Sequence, residues 1–94
     1  MLIIELSYKK PIDVVERYLQ GHRDFLTGCY EKNIFIASGP KIPRDGGVIL
    51  SKASMSEAKQ LIKEDPFYIN EVADYRLIEF TPNKAAPDFK SVIE

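Results

Sequence analysis

His22 is the residue best suited to chemistry in this chain, and it is the only histidine. A histidine side chain titrates near neutral pH, so it can accept and release protons under ordinary conditions. A carboxylate bound to one ring nitrogen would fix the tautomer and make the ring a better base. Asp65, which directly precedes Pro66, is the preferred partner. The two residues predict a His–Asp pair for acid–base catalysis.

The segment Pro11–Lys32 predicts a long amphipathic helix around His22. Its apolar stripe recurs every three or four residues, which places it on one helix face: Val15, Leu19, His22, Leu26 and Cys29. His22 should therefore point inward, where an imidazole without a hydrogen-bond partner costs about 1–3 kcal/mol. A histidine that is merely satisfied in the core is the alternative interpretation, and Asp65-Pro66 would then only end a helix.

Other chemistry has less support in the sequence. The single cysteine, Cys29, lies on the apolar stripe, where cysteine usually acts as a small hydrophobic residue. No zinc-ligand spacing is present, so neither a metal nor an organic cofactor is expected. Gly46-Gly47 lacks the surrounding pattern of a phosphate-binding loop and is better explained as part of a hairpin loop.

Length and charge limit the remaining classes of protein. The 94 residues suffice for one domain, which we expect at residues 1–82, followed by a tail at 83–94. A net charge of −1 argues against a nucleic-acid or anionic-membrane surface. No apolar run is long enough to span a membrane. The lone cysteine and the lack of a leader sequence indicate a cytoplasmic protein.

The hydrophobic pattern predicts the element order β-α-β-β-α-β. Alternating residues give a first strand, the Pro11–Lys32 helix follows, and a glycine- and proline-rich loop at 39–47 separates the next two strands. The remaining predicted elements are strands at 2–8, 34–38, 48–51 and 72–80, a helix from Ser54 or Ser56 to Asp65 at the latest, a turn or short helix at 67–69, and a short helix at 88–94.

This order is that of the ferredoxin-like α+β fold, a four-stranded antiparallel sheet with two helices on one face. The other face of the sheet is left open. Strands one, two and four carry apolar side chains on both faces, and we expect both faces of the second strand to be covered. The simplest cover for the open face is a second copy of the chain, which predicts a homodimer.

Several short motifs in this order resemble the YCII-related (YciI-like) family over about residues 1–82. They are His22 in the first helix, Ser38-Gly39-Pro40, the glycines before the third strand, Ser56-Glu57-Ala58, Asp65-Pro66-Phe67, and the last strand at Tyr75–Phe80.

The resemblance implies a dimeric α/β barrel with a His–Asp pair in its pocket. The family's histidine and aspartate correspond to His22 and Asp65, and its pocket-lining segment corresponds to Ser38 and Gly39. Phe67 stands where many members carry tyrosine, which bears on substrate binding. One related member is a dehydrochlorinase acting on a chlorinated hydroxyhydroquinone, and the wider superfamily includes muconolactone isomerase and small monooxygenases.

Three functions therefore remain open. The first is a small cofactor-independent enzyme of lyase or isomerase type, in which His22 and Asp65 act on a small cyclic or phenolic substrate in a pocket that aromatic side chains help to line. The second is a non-catalytic dimeric module that binds a small ligand or another protein. The third is a cofactor-free monooxygenase. The aromatic residues expected to help line the pocket are Phe25, Phe67, Tyr68 and Tyr75.

Overall fold

The computed structural model describes residues 1–93 and has the predicted order of elements. Strand β1 is followed by a long helix, a β-hairpin, a short helix, a single helical turn and a last strand. The bounds are β1 Leu2–Tyr8, α1 Ile12–Glu31, β2 Phe35–Pro40, β3 Gly46–Ser51, α2 Met55–Ile62, α3 Pro66–Ile69 and β4 Ala73–Glu79. A 3₁₀ turn at Pro87–Phe89 and a helical turn α4 at Lys90–Ile93 follow.

The four strands form one antiparallel sheet in the order β2-β3-β1-β4. Strand β1 lies in the middle, with Ile4 opposite Ile49 of β3 and Leu77 of β4. This topology confirms the ferredoxin-like α+β fold, with the helices on one side of the sheet.

The core lies between the helices and one face of the sheet. Leu2, Ile4 and Leu6 alternate along β1 and are all buried, as the period-two pattern predicts. Val15 and Cys29 on the apolar stripe of α1 pack into the same cluster. The stripe thus places His22 at the edge of the core, where the side chain is mostly enclosed.

The hairpin differs from its prediction, because Gly39, Pro40, Gly46 and Gly47 belong to strands and not to a loop. Pro40 pairs with Gly47 across the two strands. Strand β2 is at the edge of the sheet, where a proline breaks no ladder on its outer side. Glycine and proline were therefore misleading as loop signals here.

Strand β2 also corrects the expectation that both of its faces are covered. Phe35 is buried, whereas the segment 37–40 is exposed. The exposed stretch contains small residues that face outward or toward a cavity.

The second helix begins at a capping box. The Ser54 hydroxyl accepts a hydrogen bond from the Glu57 backbone N–H, and the Glu57 carboxylate accepts one from the Ser54 N–H. Such a box satisfies two otherwise unpaired donors. Helix α2 ends at Ile62, before the Asp65-Pro66 turn, as predicted.

Beyond β4 the chain adds little to the core. Phe89 is 54% exposed, and none of residues 87–93 is buried. The short helix predicted at 88–94 is present as the Pro87–Phe89 turn and α4, although its last residue, Glu94, lies outside the described residues. The division into a domain at 1–82 and a tail stays a prediction. Within residues 1–93, no helix has the length and apolar character needed to cross a membrane.

Gly21 allows helix α1 to approach α3 closely. A Cβ atom at this position would lie 3.1 Å from the Pro66 Cγ atom, which is tighter than normal contact. Nothing lies within 4 Å of a Cβ atom built at Gly28. Only the first of the two helix glycines therefore serves a close contact, and that contact brings Asp65 beside His22.

The pair of glycines provides a test of this contact. Gly28→Ala should raise the free energy of unfolding by about 0.5–1 kcal/mol, because alanine has the higher helix propensity. Gly21→Ala should stabilise the protein less than Gly28→Ala does, since the new methyl group displaces Pro66. Gly21→Val should destabilise the protein. Urea unfolding of the three variants measures the effect. Equal stabilisation by both alanine variants would contradict the interpretation.

Candidate functional site

His22 is fixed from one side by aromatic stacking. Its ring lies parallel to that of Phe67, with centroids 4.0 Å apart and an angle of 3° between the planes. The Phe67 ring is buried and meets Tyr8 edge-on from the other direction. Since α1 carries His22 and α3 carries Phe67, the stacking depends on the close packing of these two helices.

Asp65 meets His22 in the plane of the ring. The His22 Nδ1 atom lies 2.8 Å from Asp65 Oδ1 and 3.0 Å from Oδ2. Asp65 is the N-cap of α3, and its Oδ1 also accepts a hydrogen bond of 3.0 Å from the Phe67 backbone N–H. The carboxylate is fully buried. A turn that the sequence shows only as Asp-Pro thus places a carboxylate in the protein interior.

Tyr75 supplies a third hydrogen bond to this carboxylate. Its hydroxyl donates to Asp65 Oδ2 at 2.5 Å from strand β4. Burial raises the pKa of the Tyr75 phenol well above its usual value, and the negative charge of Asp65 and the hydrogen bond raise it further. Tyr75 therefore stays a neutral donor. The Phe67 N–H and the Tyr75 hydroxyl thus both donate to Asp65, whose carboxylate oxygens accept.

This network determines the tautomer of a neutral His22. Because the Asp65 carboxylate accepts, Nδ1 carries the hydrogen and Nε2 has the free lone pair. Within residues 1–93, the His22 Nε2 atom has no hydrogen-bond partner, because the contacts of the ring with Asp65 both involve Nδ1. Every buried side-chain nitrogen or oxygen in this range has a partner, so an unpaired Nε2 is not buried. The Nε2 atom is thus accessible, and His22 borders a cavity.

The cavity lies between α1 and the β2–β3 half of the sheet and has a volume of about 290 Å³. Its walls combine polar and apolar surface in nearly equal parts. Aliphatic side chains that border it are Leu6, Leu19, Leu26 and Ile49.

The predicted binding residues Ser38, Gly39 and Phe67 all border this cavity together with His22. Asp65 does not border the cavity, since it is fully buried and contacts the Nδ1 edge of the His22 ring. The Ser38 hydroxyl is 2.5 Å from the Tyr30 hydroxyl on α1. The structure therefore brings all five predicted site residues to one place.

Two glycines in β3 keep this side of the cavity free of side chains. A Cβ atom at Gly46 would lie only 1.8 Å from the Leu6 carbonyl oxygen, so no other residue fits there. At Gly47 the nearest atom would be the Gly39 oxygen, at 3.2 Å. Close packing of the strands therefore requires these two glycines, although the sequence predicted that they belong to a loop.

Three of the aromatic residues expected in the pocket lie elsewhere. Phe25 packs edge-on against Phe35, and Tyr68 packs against Tyr75, away from the cavity. Of the four expected residues, only Phe67 borders it. The prediction was wrong for the other three because aromatic type alone does not determine which side of a helix or strand faces the cavity. For Tyr75 it also missed the contact with Asp65.

Sequence reasoning also missed the charged rim of the cavity, formed by Glu16, Arg23 and Arg44. The Arg44 Nη1 atom donates to Glu16 Oε1 at 2.9 Å, and this hydrogen bond raises the pKa of the guanidinium. Glu16 and Arg23 could have been found from their positions on α1, because each directly follows a residue of the apolar stripe, Val15 or His22. Within residues 1–93, no group of three His, Cys, Asp or Glu side chains could hold a metal ion.

Comparison with known families identifies the family of this chain. The model of the YCII-related domain matches residues 1–81. The chain belongs to the YCII-related family. His22 and Asp65, which the resemblance implied as a pair, lie in contact in the structure.

A solved structure similar to this YCII-related chain is the 5-chloro-2-hydroxyhydroquinone dehydrochlorinase from Burkholderia phenoliruptrix AC1100, in complex with 2,5-dihydroxybenzoquinone. The TM-score is 0.70 at 17% sequence identity, over 85% of this chain and 93% of the dehydrochlorinase. At this identity the similarity establishes the fold. No curated protein matches the chain.

The raised pKa of Tyr75 makes stability depend on alkaline pH. The hydrogen bond stabilises the folded state fully below the usual tyrosine pKa of 10.0, and this contribution is lost as pH rises from there toward the folded-state value. Tyr75→Phe should therefore lower the free energy of unfolding by about 1.5–3 kcal/mol at pH 7. The difference between wild type and variant should shrink above about pH 10.

Urea unfolding at a series of pH values measures this difference. Other alkaline groups, including the Cys29 thiol, whose pKa is raised by burial, are common to both proteins and cancel. Tyr68→Phe is a matched control, because Tyr68 is 46% exposed and its hydroxyl, unlike that of Tyr75, makes no hydrogen bond to Asp65. A difference that stays constant with pH would contradict the assignment.

Proposed function

We propose that this protein is a small acid–base enzyme that uses His22 and Asp65 on a small cyclic or phenolic substrate without a metal or organic cofactor. The reaction is of the lyase type, such as dehydrochlorination, or of the isomerase type. The observation that carries the proposal is the orientation of His22. Its Nδ1 atom is held by a buried carboxylate, while Nε2 is accessible beside the cavity.

In this proposal His22 is the catalytic base. The Nε2 lone pair takes a proton from a hydroxyl or C–H group of the substrate, and Asp65 stabilises the imidazolium that forms. In a dehydrochlorination the electron pair left on the substrate forms a new double bond and chloride leaves with the C–Cl electrons. In an isomerisation the imidazolium returns the proton to a different substrate atom. Asp65 and Tyr75 act as positioning residues.

The cavity supports a substrate of this size. Its volume of about 290 Å³ is near the lower end of the usual range for ligand pockets, which is about 300–1,000 Å³. The aliphatic side chains on its walls suit the faces of a ring, and the Ser38 hydroxyl offers a polar contact. The dehydrochlorinase of similar fold was solved with a dihydroxybenzoquinone, which agrees with this substrate class.

Replacing His22 should remove activity. In His22→Ala, turnover of halogenated hydroquinones or small lactones should fall by about 10²–10⁴-fold, because general acid–base catalysis contributes this much. Asp65→Asn should also lower the rate, since an amide can present the wrong group to Nδ1 and favour the other tautomer. Initial rates on a panel of such compounds measure the effect. Gln20→Ala, on the exposed side of α1, is the control.

The tautomer can be read independently of turnover. Ring-nitrogen NMR of the single histidine should report hydrogen on Nδ1 in wild type, with a changed pattern in Asp65→Asn. Unchanged rates in His22→Ala would overturn the catalytic proposal. No turnover by wild type, with ligand binding that His22→Ala weakens only modestly, would favour a non-catalytic binding module instead.

The open face of the sheet supports a homodimer as the working form. Residues opposite each other on neighbouring strands share a face, so Ile3 lies beside Leu50 and Ile78 on the side away from the helices. Val48 and Ile78 are each 39% exposed, and Phe80 is 41% exposed. We define these five residues as the open-face patch. Packing two such patches across a two-fold axis would remove this apolar surface from water.

A charge in the open-face patch should prevent dimerisation. Ile78→Lys is expected to be monomeric where the wild type is dimeric, because an unpaired lysine would be buried between the sheets. Sedimentation analysis measures the mass. The control is Ile69→Lys, because Ile69 is 61% exposed on α3 and lies outside the patch. A monomeric wild type, or a dimeric Ile78→Lys, would contradict the proposal.

The single cysteine also bears on where in the cell the protein works. The proposed cytoplasmic location is supported by the single cysteine, which leaves no internal disulfide to form in an oxidising compartment.

A further inference from the structure

The rim of the cavity carries an excess of positive charge. Glu16 and Arg23 lie seven residues apart on α1, which puts them on the same face two turns from each other, and Arg44 reaches the rim from the β2–β3 loop. These three side chains bear one negative and two positive charges, in a chain whose net charge is −1. The local charge at the cavity is thus opposite in sign to that of the whole chain.

The two arginines differ in their partners. Arg44 is paired with Glu16 at 2.9 Å. Arg23 makes no ion pair with any carboxylate of residues 1–93. A guanidinium at the mouth of a cavity can bind a planar anion through two parallel hydrogen bonds. Arg23 is therefore a cation without a carboxylate partner among the described residues, and it lies beside the proposed base, His22. Arg44 is a second cation, and the partly exposed carboxylate of Glu16 holds it.

We infer that Arg23 and Arg44 form an anion-recognition subsite, so that the substrate is a small ring that carries a carboxylate or an ionised hydroxyl group. This inference rests on the proposed function, because it assigns a substrate class to the same cavity. Arg23 is the primary contact. Glu16 competes with the ligand for Arg44 and limits the affinity for anions.

The subsite would also serve the proposed chemistry. When Nε2 removes a proton, negative charge develops on the ring of the substrate. Fixed positive charges near this ring stabilise that charge, and they do so more strongly within a protein cavity than in open water. The same arginines that select an anionic substrate would therefore favour its deprotonated form.

Equilibrium binding of two matched probes tests the inference. Gentisate is a dihydroxybenzoate, and gentisamide is its uncharged amide of nearly the same shape. Calorimetry or NMR titration of wild type should give a smaller Kd for gentisate. Arg23→Gln should weaken gentisate binding by about tenfold and leave gentisamide nearly unchanged. Glu16→Gln should tighten gentisate binding by about two- to fivefold, because it releases Arg44.

Arg17→Gln is the matched control, because it makes the same charge change on an exposed position of α1 that does not border the cavity. Equal binding of the two probes by wild type would overturn the inference, as would binding of neither at millimolar concentration or an equal effect of Arg17→Gln and Arg23→Gln. Anion selectivity without turnover would overturn only the catalytic proposal. Turnover of uncharged substrates without anion selectivity would overturn only this inference.

Discussion

The burial of the Asp65 carboxylate is the constraint on which the rest of the site depends. A carboxylate that is fully enclosed must be matched by donors, because an unpaired buried charge is very unfavourable. The donors come from three separate parts of the chain: the ring of His22 on α1, the Phe67 backbone N–H on α3, and the Tyr75 hydroxyl on β4. Each must be in place for the others to be satisfied. The carboxylate thereby joins the helices to the edge strand and orients the imidazole toward the cavity.

Such a network would be a weak way to stabilise a small domain. Apolar residues of similar volume often stabilise a core as well as a buried polar group does. Its value is in the orientation that it imposes, because the ring of His22 is held in its plane by Asp65 and from one face by Phe67. Only Nε2 is then left for a ligand. A satisfied core histidine would need the first of these contacts, but it would not need to border a cavity.

The sheet leaves room for the cavity because several of its residues at this point are small. The strands beside the cavity carry glycines and a serine, and β1 comes so close to Gly46 that a side chain there is impossible. The helix contributes the chemical groups. The cavity thus has a polar and charged side on α1 and a side built largely from small residues on the sheet. The opposite face of the same sheet carries the open-face patch, which is proposed to pack against a second copy. One four-stranded sheet therefore supports both the proposed site and the proposed dimer.

The sequence by itself determined the order of the elements, the inward direction of His22 and the turn at Asp65, because hydrophobic period and proline geometry are local properties of the chain. The strand positions of Gly39, Pro40, Gly46 and Gly47 could not be read in this way, since these residues favour loops locally and become strand only through pairing between β2 and β3. The contact of Tyr75 with Asp65 and the position of Arg44 at the rim link residues that are far apart in the sequence. Only the tertiary structure decided them, because the distance between such residues depends on how the helices pack on the sheet.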